Sequence, residues 1–379
     1  MDVGRYLELC LRLGRHVDGL VDAYYGPAEI KERVDAEELR DPALLVQDAA
    51  SLLEEADDGW LHAQLVGLET VARKLAGEEI PYEDEVERCY GVRPEWFPEE
   101  SFEAAHRELD DALPGNGSLA ERYQAWREDD TLAGGPLATV YEDMLADARG
   151  RTKALFGLPE GESIEVEYVS DEPWSAFNYY QGGLRSRIAV NTDTMLTPDF
   201  VFELATHEAY PGHHAEHAWK EQVQVVEGGR LEESALMVGT PSSLVSEGIA
   251  SLAAEILLGD DVEQVVAEHV EGTGVRYDPE LSQRVKKAIR PFAYVSGNVA
   301  LLVHTRRASA EDAIEYSMKW SLRSRKRAEQ AVRFITDPLW RSYITTYSAG
   351  YDLCRDWVAG DPARFKRLLT EPLTPAELS

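Results

Sequence analysis

Lysine and cysteine are both scarce in this sequence, and each shortage excludes something. The three cysteines, Cys10, Cys89 and Cys354, are far apart and odd in number. That argues against a disulfide framework and against a cysteine-based zinc site, and it points to a cytoplasmic protein. Among 38 basic residues only nine are lysine, against 70 acidic residues, and the net charge is −32. Nucleic acid is excluded as a partner, because binding it relies on neutralising phosphates with Lys and Arg. An acidic, lysine-poor composition resembles that of proteins from salt-accumulating organisms, where surface carboxylates keep a protein hydrated; it bears on solubility rather than on fold. No run of 18 or more apolar residues occurs, so no membrane partner is expected. The N-terminal "MDVGRYLELCLRLGRHVDGL" lacks the segment order of a signal peptide. Nothing in the sequence sets an oligomeric state.

What is present is a chain of 379 residues, 44% of them hydrophobic, enough for one large domain or two. Residues 1 to 160 read as an N-terminal helical region. "VGRYLELCLRLGRHVDGLVDAYY" spaces Leu7, Leu11, Leu13, Val17 and Leu20 as one helix does, stopping at Gly26-Pro27. Asp41 before Pro42 predicts a helix cap, and a further helix is expected from Pro98. Residues 161 to 379 read as the catalytic, metal-binding region, or as a continuation of the same domain. "SIEVEYV" (163 to 169) and "SRIAVNT" (186 to 192) are strand-like; helices then return. The fold class expected is mainly α, with a small β-sheet next to the helix described next.

That helix carries "ELATHEAYPGHHAEHAWKE", residues 203 to 221, which holds four of the nine histidines. His207-Glu208 begins like the zinc-hydrolase pattern His-Glu-x-x-His, in which two histidines one turn apart bind metal and the glutamate is the general base. The second ligand's position is Pro211, so that ligand must be His213 or His214. On an unbroken helix seven residues advance about 10.5 Å and return to nearly the same face, favouring His214, whereas six leave His213 roughly 120° away. Pro211-Gly212 disfavours an unbroken helix, and a kink brings His213 in equally well. His217 reads as a surface or supporting residue. A third ligand is available in Glu247, forty residues after His207, with Glu255 on roughly the same face to orient a ligand histidine.

These residues resemble the bacterial and archaeal family known as domain of unknown function 885, whose His-Glu-Ala-x-Pro-Gly-His-His motif is matched by His207 to His214. "EGIA" at Glu247 to Ala250 matches a Glu-Gly-Trp-Ala-type helix, with Ile249 in place of tryptophan. The resemblance covers about residues 160 to 355 and implies an architecture distantly similar to helical zinc peptidases of the thimet oligopeptidase and Taq carboxypeptidase kind. It implies one Zn²⁺ held by His207, His213 or His214, and Glu247, with Glu208 as general base. It also places Tyr179, Tyr180 and Asn191 near the site, and His304, Arg333 and Tyr347 further along. Tyr343 is a rival to Tyr347 because the spacing from Pro338 departs from the family pattern.

The function expected is hydrolysis of a peptide or small amide. Tyr347 or His304 would donate to the oxyanion. Arg185, Arg187 or Arg333 would hold a substrate carboxylate, or else form surface ion pairs. Tyr180 and Asn191 would line the substrate site, and strand 186 to 192 would offer an edge to an extended peptide. The competing readings are a hydrolase of a non-peptide amide or ester, and a non-catalytic metal-binding helical protein.

Overall fold

The computed structural model describes residues 2–379 except 58, 130, 133–135, 173 and 195. It is mainly helical, with one three-stranded and one two-stranded sheet among the described residues. Asp41 caps the Pro42–Glu55 helix by accepting from the Ala43 N–H at 2.8 Å, and the next amphipathic stretch forms a separate helix, Trp60–Leu75. The helix expected from Pro98 runs Glu99–Ala112, with Glu99 and Glu100 in its first turn, where negative charge suits the dipole.

The first helix is shorter than its leucine spacing suggests. It covers Val3–Gly14, and Val21–Tyr24 is a strand, β1. Gly14 is where the chain folds back: a Cβ there would lie 2.4 Å from the Val21 side chain. β1 pairs antiparallel with Ala235–Met237, called β5 here as the fifth strand in chain order. An early segment is thereby joined to one more than 200 residues later.

The other sheet contains β2 (Ser163–Val169), β3 (Ala176–Gly182) and β4 (Arg185–Asn191). The two expected strands are β2 and β4, while β3 is an additional strand formed by the aromatic and glycine-rich stretch between them. The order is β2-β4-β3, with β4 parallel to β2 and antiparallel to β3. This corrects one expectation: β4 is central, with both edges paired, so no peptide can add to it as a strand.

Behind this sheet, Ile188 and Val190 of β4 enter a core with Tyr141, Met144, Val201, Phe202 and Ala205, fixing the helix that carries His207. The Pro241–Leu258 helix lies against the Ile344–Val358 helix. The longer stretch Pro241–Val270 is the one segment among the described residues apolar and long enough to cross a membrane. Half of its most apolar window is buried inside the protein, and it carries the buried Glu247, so it serves as a core helix. The stretch from 279 to 304 is divided at Pro291 into two helices, Pro279–Ile289 and Val295–His304, with a 3₁₀ turn between them.

Candidate metal centre

The Pro198–Glu208 helix ends with His207 and Glu208 in its last turn. Pro211 has no N–H to continue it. Gly212 turns the chain back tightly: its N–H donates to the Thr206 carbonyl at 2.9 Å, and a Cβ there would lie 1.9 Å from the His207 carbonyl oxygen. A new helix, His213–Lys220, starts at once. The break brings the His213 ring to 4.8 Å from the His207 ring, nearly perpendicular to it. Between the two candidates, the geometry places His213 at the site.

Glu247 completes the group from the Pro241–Leu258 helix. Its Oε2 is 3.6 Å from His207 Nε2, and its Oε1 is 3.7 Å from His213 Nε2. One ligand atom from each of the three residues falls within 4.8 Å of the others. Ligands around a tetrahedral ion with bonds of 2.0–2.1 Å stand about 3.3 Å apart, so modest contraction suffices. Glu247 Oε2 is buried without a hydrogen-bond partner. Such an orphaned carboxylate oxygen, facing an imidazole nitrogen, is what a cation would satisfy. Oε1 accepts from the Tyr343 hydroxyl at 2.6 Å.

The electrostatics fit a cation as well. Burial, and then His213, hold His207 well below its usual range; burial and then His217 push His213 down to about 4. Both imidazoles are neutral near pH 7, as metal ligation requires. Burial pushes Glu247 up to about 7. Burial, then the negative charge of Glu247 and Asp22, push Glu208 up to about 8. Two carboxylates and neutral histidines crowded in low dielectric make a site that favours positive charge. Asn178 on β3 steadies Glu208, its Nδ2 donating to the Glu208 carbonyl at 2.6 Å.

His214 lies outside this group. It is fully buried on a different face of its helix, its Nδ1 paired with Ser186 Oγ at 2.8 Å and its Nε2 with Glu162 Oε2 at 3.0 Å. Glu162 also accepts from the Tyr210 hydroxyl at 2.5 Å and from Arg149. His217 is buried beneath the site, its ring 5.3 Å from that of Tyr180. Tyr180 donates its hydroxyl to Glu221, so it supports the histidine helix from the sheet. Asn191 holds the loop after Val169: its Nδ2 donates to the Glu172 and Trp174 carbonyls at 2.9 and 2.8 Å.

Tyr347 is 43% exposed, its ring 5.6 Å from that of Tyr343, and the carboxylates of Glu247 and Glu208 act on its hydroxyl. It therefore stands at the mouth of the centre, with Tyr343 inside. His304 is elsewhere: its Nε2 donates to the Ile335 carbonyl at 2.7 Å and its ring stacks on Tyr82. Arg187 pairs with Glu167 and lies over the Tyr179 ring, whereas Arg185 and Arg333 are exposed. Glu255 reaches no histidine; it is half exposed and meets Tyr351 and Arg290.

Several supporting residues carry no clear sequence signal. Asp22 acts electrostatically on Glu208, Glu247 and Tyr343. It is the extra residue where β1 shifts register between Val21 and Ala23, a bulge that re-aims a side chain. No local pattern announces it, because its strand partner is remote. Ser246 touches His213, Glu216 touches Ser246, and both carry a weak signal: each lies within three residues of a candidate ligand.

No family model matches the chain, and no curated protein matches it. Solved structures do. A "putative lipoprotein" from Colwellia psychrerythraea aligns over 92% of this chain, with a TM-score of 0.53 and 18% identity. A second such lipoprotein, of unknown function, from Shewanella oneidensis aligns over 92% with a TM-score of 0.52 and 14% identity. At these identities the likeness is one of fold. The chain spans 57% of the Colwellia protein's length and 74% of the Shewanella protein's.

Proposed function

We propose that the protein is a zinc-dependent hydrolase acting on peptide bonds, with His207, His213 and Glu247 as the metal ligands. The observation that carries the reading is the conjunction of this triad with Glu208, a buried carboxylate adjoining a ligand histidine and belonging to no part of the triad. Two histidines and a glutamate are a ligand set of catalytic zinc sites, which leave one position open. A divalent ion bound there supplies Lewis acidity, lowering the pKa of water and polarising a carbonyl. Glu208 takes the proton of the attacking water and delivers it to the leaving amine. Its burial and its acidic neighbours raise its affinity for a proton, so once the positive charge of a bound cation holds it as a carboxylate it is a stronger acceptor than an ordinary glutamate. Tyr347, at the mouth, donates to the oxygen that gains charge.

Peptide as the substrate class rests on the likeness of the motif to domain of unknown function 885. A non-catalytic metal-binding protein is the second reading, favoured by the placement of His304 away from the centre, where its ring bonds the Ile335 carbonyl and offers nothing to a substrate. We also place the chain in the cytoplasm, supported by three buried free cysteines, although the two similar structures are described as lipoproteins. The deciding experiment compares wild type with Glu208→Gln, both loaded with zinc, on a mixed peptide library read by mass spectrometry. The expected result is cleavage by wild type and loss of at least about 100-fold in Glu208→Gln with metal retained. Metal binding without cleavage by wild type selects the second reading.

A further inference from the structure

His213 Nδ1 lies 3.1 Å from Ser246 Oγ, and Ser246 Oγ lies 2.6 Å from Glu216 Oε2. The other oxygen of Glu216 accepts from Lys220 Nζ at 2.6 Å. Glu216 is 1% exposed and Lys220 7%, so this is an ion pair inside the protein rather than a surface contact. The direction of every hydrogen follows. Glu216, paired with an ammonium, is ionised and has no proton to give. The single Ser246 hydroxyl hydrogen therefore goes to Glu216, and toward His213 the serine can only accept. The Nδ1 of His213 then carries the ring hydrogen, and Nε2 keeps its lone pair. Nε2 is the atom that faces Glu247.

We propose that Ser246 and Glu216 are positioning residues for the metal centre, fixing the tautomer and ring plane of His213 through a Ser–carboxylate relay anchored by Lys220. The inference rests on the reading of His207, His213 and Glu247 as metal ligands. Ser246 is built into the same helix as Glu247 and precedes it directly, so one helix supplies a ligand and aims another. The relay also decides between two overlapping groups of donors. His213, Glu216 and His217 bring ligand atoms within 4.8 Å of one another, and His217 Nδ1 is buried with no partner. A second ion there would need the nitrogen that the relay protonates and the carboxylate that Lys220 neutralises. This centre therefore holds one ion rather than two.

The test uses the full chain with histidines labelled in ¹⁵N, and Zn²⁺ as the probe. In metal-free wild type the His213 signals are expected to show hydrogen on Nδ1, and Ser246→Ala to lose that bias while Ser246→Thr keeps it. Zn²⁺ affinity, measured by competition with a chromophoric chelator, is expected to fall about 10- to 100-fold in Ser246→Ala, less in Glu216→Gln, and to recover in Ser246→Thr. Circular dichroism confirms that each variant is folded, and Glu216→Gln carries the test if Ser246→Ala is not. Hydrogen on Nε2 in wild type overturns the relay, as does unchanged affinity in Ser246→Ala. Two zinc ions per chain, one lost in His217→Ala, also overturn it. Wild type that takes up no zinc at all removes the metal centre and, with it, this role for Ser246.

Discussion

Gly248 and Gly350 meet backbone to backbone where two helices cross: a Cβ on Gly248 would lie 2.3 Å from the Gly350 carbonyl oxygen, and one on Gly350 would lie 2.4 Å from the Leu244 carbonyl. Glu247 is one residue from this crossing, and Tyr343 immediately precedes the Ile344–Val358 helix. The close approach is what lets the Tyr343 hydroxyl reach Glu247 at 2.6 Å.

Gly350→Ala should therefore push the helices apart and lose the Tyr343–Glu247 bond. We expect a stability loss of about 1–3 kcal/mol, the usual penalty of overpacking, with weaker zinc retention. Gly297→Ala is the contrasting case. Gly297 lies inside the Val295–His304 helix, and a methyl group there would meet no atom within 4 Å, so alanine should stabilise by up to about 1 kcal/mol. Thermal unfolding of both variants checks the pair, and equal shifts in the same direction would refute the crossing argument.

The two adjacent histidines should separate cleanly. His213→Ala is expected to abolish stoichiometric zinc binding with little loss of metal-free stability. His214→Ala should keep zinc but lose about 2–4 kcal/mol, because removing a buried ring with both nitrogens paired leaves a cavity and takes a partner from both Ser186 and Glu162. Metal content beside urea denaturation of each variant is the measurement. Zinc lost from His214→Ala in a folded protein contradicts the assignment.

That contrast also shows what is legible in the sequence. The motif and its candidate third ligand are, because metal sites draw on few residue types, and His207, Glu208 and Glu247 stand out by spacing and character. The choice of His213 is not, because ideal helix geometry favours His214 and the answer depends on how Gly212 folds the chain. β2 and β4 are visible from alternation, but β1 looks helical in sequence because its strand character comes from pairing with β5, over 200 residues away. For the same reason Asp22 is invisible there. Asn191 and His304 resemble site residues by position, yet their hydrogen bonds hold a loop and a helix in place.

Asp22 supplies a pH prediction for the metal-free protein. Burial, and then Glu216, push its carboxyl from an ordinary value near 3.8 up to about 7, and its charge also opposes those of Glu208 and Glu247 and the Tyr343 hydroxyl. A carboxyl raised in the folded state costs nothing below the unfolded value. Its penalty grows as pH climbs through that value to about 7, and above this it is complete. Asp22→Asn should thus stabilise the metal-free protein at pH 8 by on the order of 1–2 kcal/mol, reduced for the partial exposure of the side chain, with a much smaller gain at pH 5. Added zinc should shrink the gain, since a bound cation offsets the repulsion. A gain equal at both pH values would disprove the electrostatic origin.

The whole surface poses the last electrostatic question. With 70 acidic against 38 basic residues, repulsion among carboxylates outnumbers the attraction available from ion pairs. Screening shortens the reach of that repulsion from about 30 Å at 0.01 M salt to about 3 Å at 1 M. Exposed ion pairs, such as Arg5–Glu55 and Arg367–Glu371, also weaken with salt, but each is worth little, about 0–1 kcal/mol. The repulsive term spans the molecule, so its loss should win. We expect the melting temperature to rise between 0.01 and 1 M KCl, most steeply at the low end where the screening length passes through the dimensions of the protein. Potassium chloride is the salt of choice because it does little to apolar hydration compared with sulfate, which strengthens burial in any protein. A melting temperature that falls over this range would mean that the ion pairs, rather than the excess of negative charge, dominate the stability of the surface.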